Sequence, residues 1–223
     1  VHTVNWQEAD LHVRDGLARL RLPGAELQPR LLLLAAGAGN QSLLGRLGAS
    51  EPGMVRRPLQ QVILRQPGLP RFFGHCLGRG SEPGLTITSH QDGADVLWYL
   101  GGSVATGGAG DEPAAVIDRA RRALATSLPG WDETGADWQT LTVDRIEAAG
   151  ERRPGRAFLG PVPGIANAQV AWPTKLALAP VLADAVARLL PAPVAGTDTT
   201  HGFSTAAPRA PAIARPGWRH DAP

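Results

Sequence analysis

The ten residues Leu31-Leu32-Leu33-Leu34-Ala35-Ala36-Gly37-Ala38-Gly39-Asn40 decide how this chain is read. Six apolar residues in a row, with no polar alternation, suit a short strand buried on both faces that stops at a glycine turn. Residues 41–47 then read as a short helix.

N-terminal to this stretch, Leu11 and Val13 precede Asp15-Gly16, and Ala18, Leu20 and Leu22 alternate with Arg19 and Arg21 after it. That pattern predicts a hairpin over residues 10–22. C-terminal to it, residues 59–65, 72–77, 85–90 and 94–100 read as successive strands, with Asp92-Gly93 as the turn between the last two. Short turns between consecutive strands predict an antiparallel sheet. After the glycine-rich residues 101–110, Asp111 is expected to cap a helix that has Pro113 in its first turn. Val116, Ile117, Ala120, Leu124 and Leu128 form its apolar stripe, and Pro129-Gly130 ends it. Residues 141–146 and 169–172 suggest two more strands. Pro180 is tolerated in the first turn of a helix that starts near Ala177 and stops at Pro191. Beyond that helix the chain is rich in Ala, Pro, Thr and Arg without periodicity, and is expected to stay mostly disordered.

Composition narrows the functional classes. The 223 residues are enough for one substantial core or two small ones, and 27 glycines with 20 prolines imply many turns. The net charge is +2, and the arginines are scattered rather than gathered into a stripe with aromatics, so nucleic acid is not an implied partner. The longest apolar run is far short of the ~20 residues that span a bilayer. A single cysteine, Cys76, and the lack of a signal-like N-terminus point to a reducing cytoplasm.

Three segments taken together carry a family likeness. They are the strand and glycines of residues 31–40, the stretch from Phe73-Gly74-His75-Cys76-Leu77-Gly78 to Trp98-Tyr99-Leu100-Gly101-Gly102, and Val170-Ala171-Trp172-Pro173-Thr174-Lys175-Leu176. They resemble FAD-dependent oxidoreductases of the D-amino-acid-oxidase and glycerol-3-phosphate-dehydrogenase superfamily, over most of residues 1–190. The resemblance implies an α+β (α/β) fold: part of a Rossmann-like FAD-binding domain joined to an antiparallel substrate domain. It places FAD-domain sequence at 1–57, the substrate sheet and its helix at 58–150, a return to the FAD domain at 151–190 and the tail at 191–223. It also implies FAD contacts at Ala36, Gly37, Ala38 and Gly39, and at Pro173, Thr174, Lys175 and Leu176, where a helix N-terminus would face the flavin.

The expected activity is hydride transfer from an amine, amino acid or hydroxy acid. Arg145, after Leu141-Thr142-Val143-Asp144, is similar to the family arginine that anchors a substrate carboxylate, with Asp144 and Glu147 as competing surface partners. His75, Tyr99 and Arg65 are further substrate contacts, although a histidine in an apolar strand more often packs as a core residue. The superfamily's G-x-G-x-x-G turn is absent from this sequence. That absence suggests a shortened chain, or a subunit whose partner supplies the pyrophosphate site.

Two other readings compete. His75, Cys76, His90, Asp92 and Asp95 could converge on zinc, but their spacing matches no familiar ligand motif and Asp92 is already explained by its turn with Gly93. A non-catalytic interaction subunit would keep the sheet and helix body without the cofactor.

Overall fold

The computed structural model describes residues 3–77, 83–150, 155–172 and 175–192. In chain order it begins with strands β1 (Asp10–Arg14), β2 (Leu17–Leu22), β3 (Ala25–Leu27) and β4 (Leu32–Leu34), followed by helix α1 (Asn40–Arg46). Next come β5 (Met54–Arg65), β6 (Phe73–Leu77), β7 (Pro83–Asp92), β8 (Asp95–Gly101), helices α2 (Ser103–Thr106) and α3 (Pro113–Ser127), and β9 (Asp137–Ala148). The last elements are β10 (Phe158–Pro161), β11 (Ala168–Trp172) and helix α4 (Ala179–Leu189). The fold is mixed α/β with antiparallel sheets, as expected. The predicted disordered tail falls almost wholly outside the described residues. No described helix is long and apolar enough to cross a membrane.

The described residues divide into two units, one from residues 3–56 and 146–192 and the other from residues 57–145. In the first, the predicted hairpin forms: Asp15 and Gly16 both take positive φ, +54° and +74°, as a tight two-residue turn requires, and β1 pairs with β2. β3 adds a third strand to it. A second small sheet has the order β10-β11-β4, with β11 antiparallel to β10 and parallel to β4. Leu34, Ala168, Val170 and Trp172 turn one face of that sheet into a core shared with Leu11, Ala18, Leu44 and Ile165.

Asn167, nearly buried, binds this core's backbone together. It accepts from the Ala18 amide at 2.7 Å and donates to the carbonyls of Ala18 and Pro29 at 3.1 and 2.7 Å.

The second unit is a five-stranded antiparallel sheet, β6-β7-β8-β5-β9, with α3 on one face. Val116, Ala120 and Leu124 of α3, all fully buried, pack on Val62, Leu64, Leu85, Ile87 and Leu100. The apolar stripe was therefore read correctly, but the cap was not. Glu112 occupies the cap position and makes no side-chain cap bond, while the Asp111 carboxylate pairs with Arg119. The short helix α2 lies inside the glycine-rich residues 101–110, for which the sequence predicts no element. β5 also starts earlier than expected and runs through Pro58. Its pairing with β8 covers only residues 62–65, so Pro58 lies where β8 does not reach and its missing N–H breaks no bond to that strand.

Candidate functional site

Two groups of residues, one in each unit, bear on function. In the first unit, β4 and β11 run parallel in the register Leu32 to Ala168 and Leu34 to Val170, so both strands leave the sheet at the same end. The carboxyl ends of parallel strands are where open α/β sheets offer ligand crevices. Past Leu34, the chain passes through Ala35 and Ala36 into a 3-10 turn, Gly37–Gly39. Gly37 has φ +56°, which glycine adopts without strain, and a Cβ on Gly39 would come within 3.2 Å of the Ala36 Cβ. Ala35, Ala36 and Gly39 are exposed, so their backbone is open to close approach.

Three hydrogen bonds fix this exit against the end of β11. Asn40 is fully buried. Its Oδ1 accepts from the Ala36 amide at 2.7 Å, and its Nδ2 donates to the Ala171 carbonyl at 3.1 Å. The Trp172 indole N–H donates to the Gly37 carbonyl at 3.1 Å. The sequence-predicted segments 36–39 and 173–176 therefore follow strands whose ends are bonded to one another. Pro173 and Thr174 lie outside the described residues. Lys175 is extended and exposed, and its carbonyl accepts from the Leu178 amide across a 3-10 turn at Leu176–Leu178. Leu176 is 89% exposed. α4 begins at Ala179, two residues later than expected because this turn leads into it, with Pro180 in its first turn.

Sequence reasoning missed Asn40 and Trp172. Asparagine directly before a helical stretch was a signal for a backbone-bonding side chain.

In the second unit, the face of the large sheet opposite α3 carries the polar candidates. His75 is paired with Thr86, Thr88 with Tyr99, and Ile63 with Tyr99. With strand alternation, this register puts His75, Tyr99 and Arg65 on one face. Arg65 Nη1 donates to Gln139 Oε1 at 3.0 Å, which brings Gln139 to the same side. Arg145 stands six residues further along β9, an even spacing that keeps it on that side of an unbroken strand. All four predicted substrate contacts thus share a sheet face.

Their settings differ. Arg65 is already shared between Gln139 and Asp92, whose Oδ2 is 3.5 Å from Nη2, beside a cavity that Asp95 and Asp137 also line. His75 is exposed between exposed Phe73 and Leu77 on the edge strand, so it is not the core histidine its apolar setting suggested. Tyr99 is half-buried and meets His90 edge-on, with ring centroids 5.7 Å apart. His75 and Cys76, as neighbours on a strand, point to opposite faces, so the residues weighed for zinc do not converge. Among the described residues no three His, Cys, Asp or Glu gather as a metal site.

Burial raises the Tyr99 pKa above that of an ordinary phenol. Tyr99 is the only tyrosine, so titrating the phenolate absorbance reads it directly. The folded midpoint is expected above that of the urea-unfolded chain. Because the folded pKa is the higher one, the associated stability is fully present below the unfolded pKa and is lost as pH rises through the folded one. Coincident midpoints would contradict this.

No protein-family model matches the sequence. A probable FAD-dependent oxidoreductase of Pseudomonas aeruginosa is 44% identical over 214 residues, a match that covers 92% of this chain and 53% of that protein. The crystal structure of the P. aeruginosa FAD-dependent oxidoreductase aligns with a TM-score of 0.74 at 37% identity, over 94% of this chain and 56% of that one. The crystal structure of an iminodiacetate oxidase from Chelativorans sp. aligns more loosely, with a TM-score of 0.46 at 22% identity over 73% of this chain and 42% of that one. This chain is thus a homologue of the P. aeruginosa protein and spans about half of its length.

Proposed function

We propose that this chain forms the flavin-ring and substrate side of an FAD-dependent oxidoreductase, acting on an amine, an amino acid or a hydroxy acid. The observation that carries the proposal is the 44% identity to a probable FAD-dependent oxidoreductase across 92% of the chain.

The residues at the paired strand ends fit one edge of a flavin. From Ala35 to Gly39 no side chain is larger than a methyl group, and Asn40 and Trp172 hold the backbone there in place. When bound, FAD would supply a two-electron acceptor for a hydride from the substrate carbon. The backbone of Ala36, Gly37, Ala38 and Gly39 would lie against it, with Pro173, Thr174, Lys175 and Leu176 leading into α4. The positive end of that helix favours negative charge placed before it. On the sheet face, Arg145 would hold a substrate carboxylate through two parallel N–H bonds. Tyr99, a neutral phenol, would offer an O–H donor, and His75 and Arg65 would border the substrate.

The G-x-G-x-x-G turn that grips a pyrophosphate is not in this sequence, so a further segment or partner chain is proposed to supply it. Absorbance spectra of the purified chain with FAD, alone and together with such a segment, test the reading. Flavin bands that persist through gel filtration and bleach with an amine, amino acid or hydroxy acid are expected for the completed protein. Failure to hold FAD in both settings would favour the interaction-subunit reading instead.

A further inference from the structure

Four positions form one row across the sheet of the second unit. His75 of β6 pairs with Thr86 of β7, and Thr86 pairs with Gly101 of β8. Leu100 pairs with Val62, so the antiparallel register sets Gly101 opposite Gln61 of β5. Val62, Leu85, Ile87 and Leu100 pack on α3. Alternation therefore turns Thr86, Gly101 and Gln61 to the other face, which also carries Tyr99, two residues along β8 and about 7 Å away.

Gly101 leaves the middle of this row without a side chain. Its backbone does not call for glycine, because its φ lies outside the left-handed region. What it supplies is space. A Cβ on Gly101 would stand 2.8 Å from Thr86 Oγ1 and 2.9 Å from Gln61 Oε1. Two oxygens thus converge, each at hydrogen-bonding distance, on a place that any other residue would fill. Gln61 Oε1 is shielded from solvent and has no hydrogen-bond partner, although buried acceptors are nearly always met. Gln61 as a whole is only half-buried, and its amide ends a flexible side chain that lifts from Gly101 by rotation about its own bonds.

We propose that Gln61 and Thr86 hold the substrate's amino group over Gly101, so that this row selects amines and amino acids over hydroxy acids. The proposal rests on the oxidoreductase reading above and narrows its substrate class. Both converging atoms are oxygens, so a group with two hydrogens to give meets them at once. An amino group has them. A hydroxyl has one and must borrow the other from Thr86. The orphaned acceptor then finds its partner only when substrate is bound, and a side chain at position 101 would take the amino group's place.

Two measurements test this. In amide spectra of the full 223-residue chain, ethylamine is expected to shift the Gly101 backbone and Gln61 side-chain resonances, and ethanol at equal concentration is not. Gly101→Ala, whose new methyl meets only the far ends of two side chains, is expected to erase those shifts. In the FAD-loaded, completed protein the same variant is expected to lower the preference for alanine over lactate in kcat/KM at least about tenfold. Thr86→Val keeps the shape without the hydroxyl and decides the matter if the glycine variant does not fold. Gln61→Met is expected to reduce the preference similarly while leaving the melting temperature unchanged or higher, since an unmet buried acceptor disappears. A lowered melting temperature would make Gln61 a brace for the sheet and overturn the proposal. So would the absence of shifts with ethylamine, equal shifts with ethanol, or shifts that survive Gly101→Ala. If neither alanine nor lactate bleaches the flavin, the oxidoreductase reading is what fails, and the amide spectra still decide the subsite.

Discussion

Asn40→Ala is expected to destabilise the first unit by about 2–4 kcal/mol in urea denaturation, and to abolish flavin retention by the completed protein. Asn40 is fully buried, and alanine would strand two backbone groups there, the Ala36 amide and the Ala171 carbonyl. Each buried polar group left without a partner costs about 1–3 kcal/mol, more than the net gain from an ordinary hydrogen bond. The functional loss follows from the same bonds. Without Asn40, the bond left among the described residues to hold residues 36–39 against the end of β11 is that of the Trp172 indole to Gly37. Asn40→Asp is expected to cost at least as much, because its carboxylate can accept from Ala36 but sets a buried, unpaired charge against the Ala171 carbonyl. A change below about 0.5 kcal/mol for the alanine variant, within the usual range for surface substitutions, would show that the strand exit is held by something other than this side chain.

Features fixed by neighbours in sequence could be read from the residues. The hairpin at Asp15-Gly16 is local, since two positive φ values and an alternating pattern define it within thirteen residues, and it formed as read. The stripe of α3 is local in the same way. β3 and β10 escaped notice because three residues carry too little pattern, and because Gly160 and Pro161 look like breakers although β10 lies at a sheet edge, where they are tolerated. The small residues at 36–39 were legible as a place where backbone could approach a ligand. What holds them was not, because Asn40 and Trp172 reach partners 131 and 135 positions away. The pairing of β4 with β11 that brings those ends together is equally long-range. His75 shows the converse failure: an apolar flank suggested burial, but on an edge strand the same flank can face outward, as Phe73 and Leu77 do.

Arg145 carries the sharpest kinetic expectation. In the flavin-loaded, completed protein, Arg145→Ala is expected to raise KM for a carboxylate substrate about 10- to 100-fold while lowering kcat much less. Hydrogen bonds to charged groups contribute about 1.5–3 kcal/mol, which spans that range. The contact is made to the substrate's carboxylate rather than to the reacting carbon, so it acts on ground and transition states alike and appears in KM. Arg145→Lys is expected to recover only part of the loss, because an ammonium cannot reproduce the paired N–H geometry of a guanidinium. An amine substrate without a carboxylate should respond to neither change. Arg145 is partly buried on a strand next to Asp144 and two residues from the buried Glu147, and a purely structural pairing with either acid makes a different prediction. In that case both variants lower the melting temperature, and KM for carboxylate and amine substrates moves by the same factor. Comparing the two substrates on one variant therefore separates an anchor for substrate from a brace for the sheet.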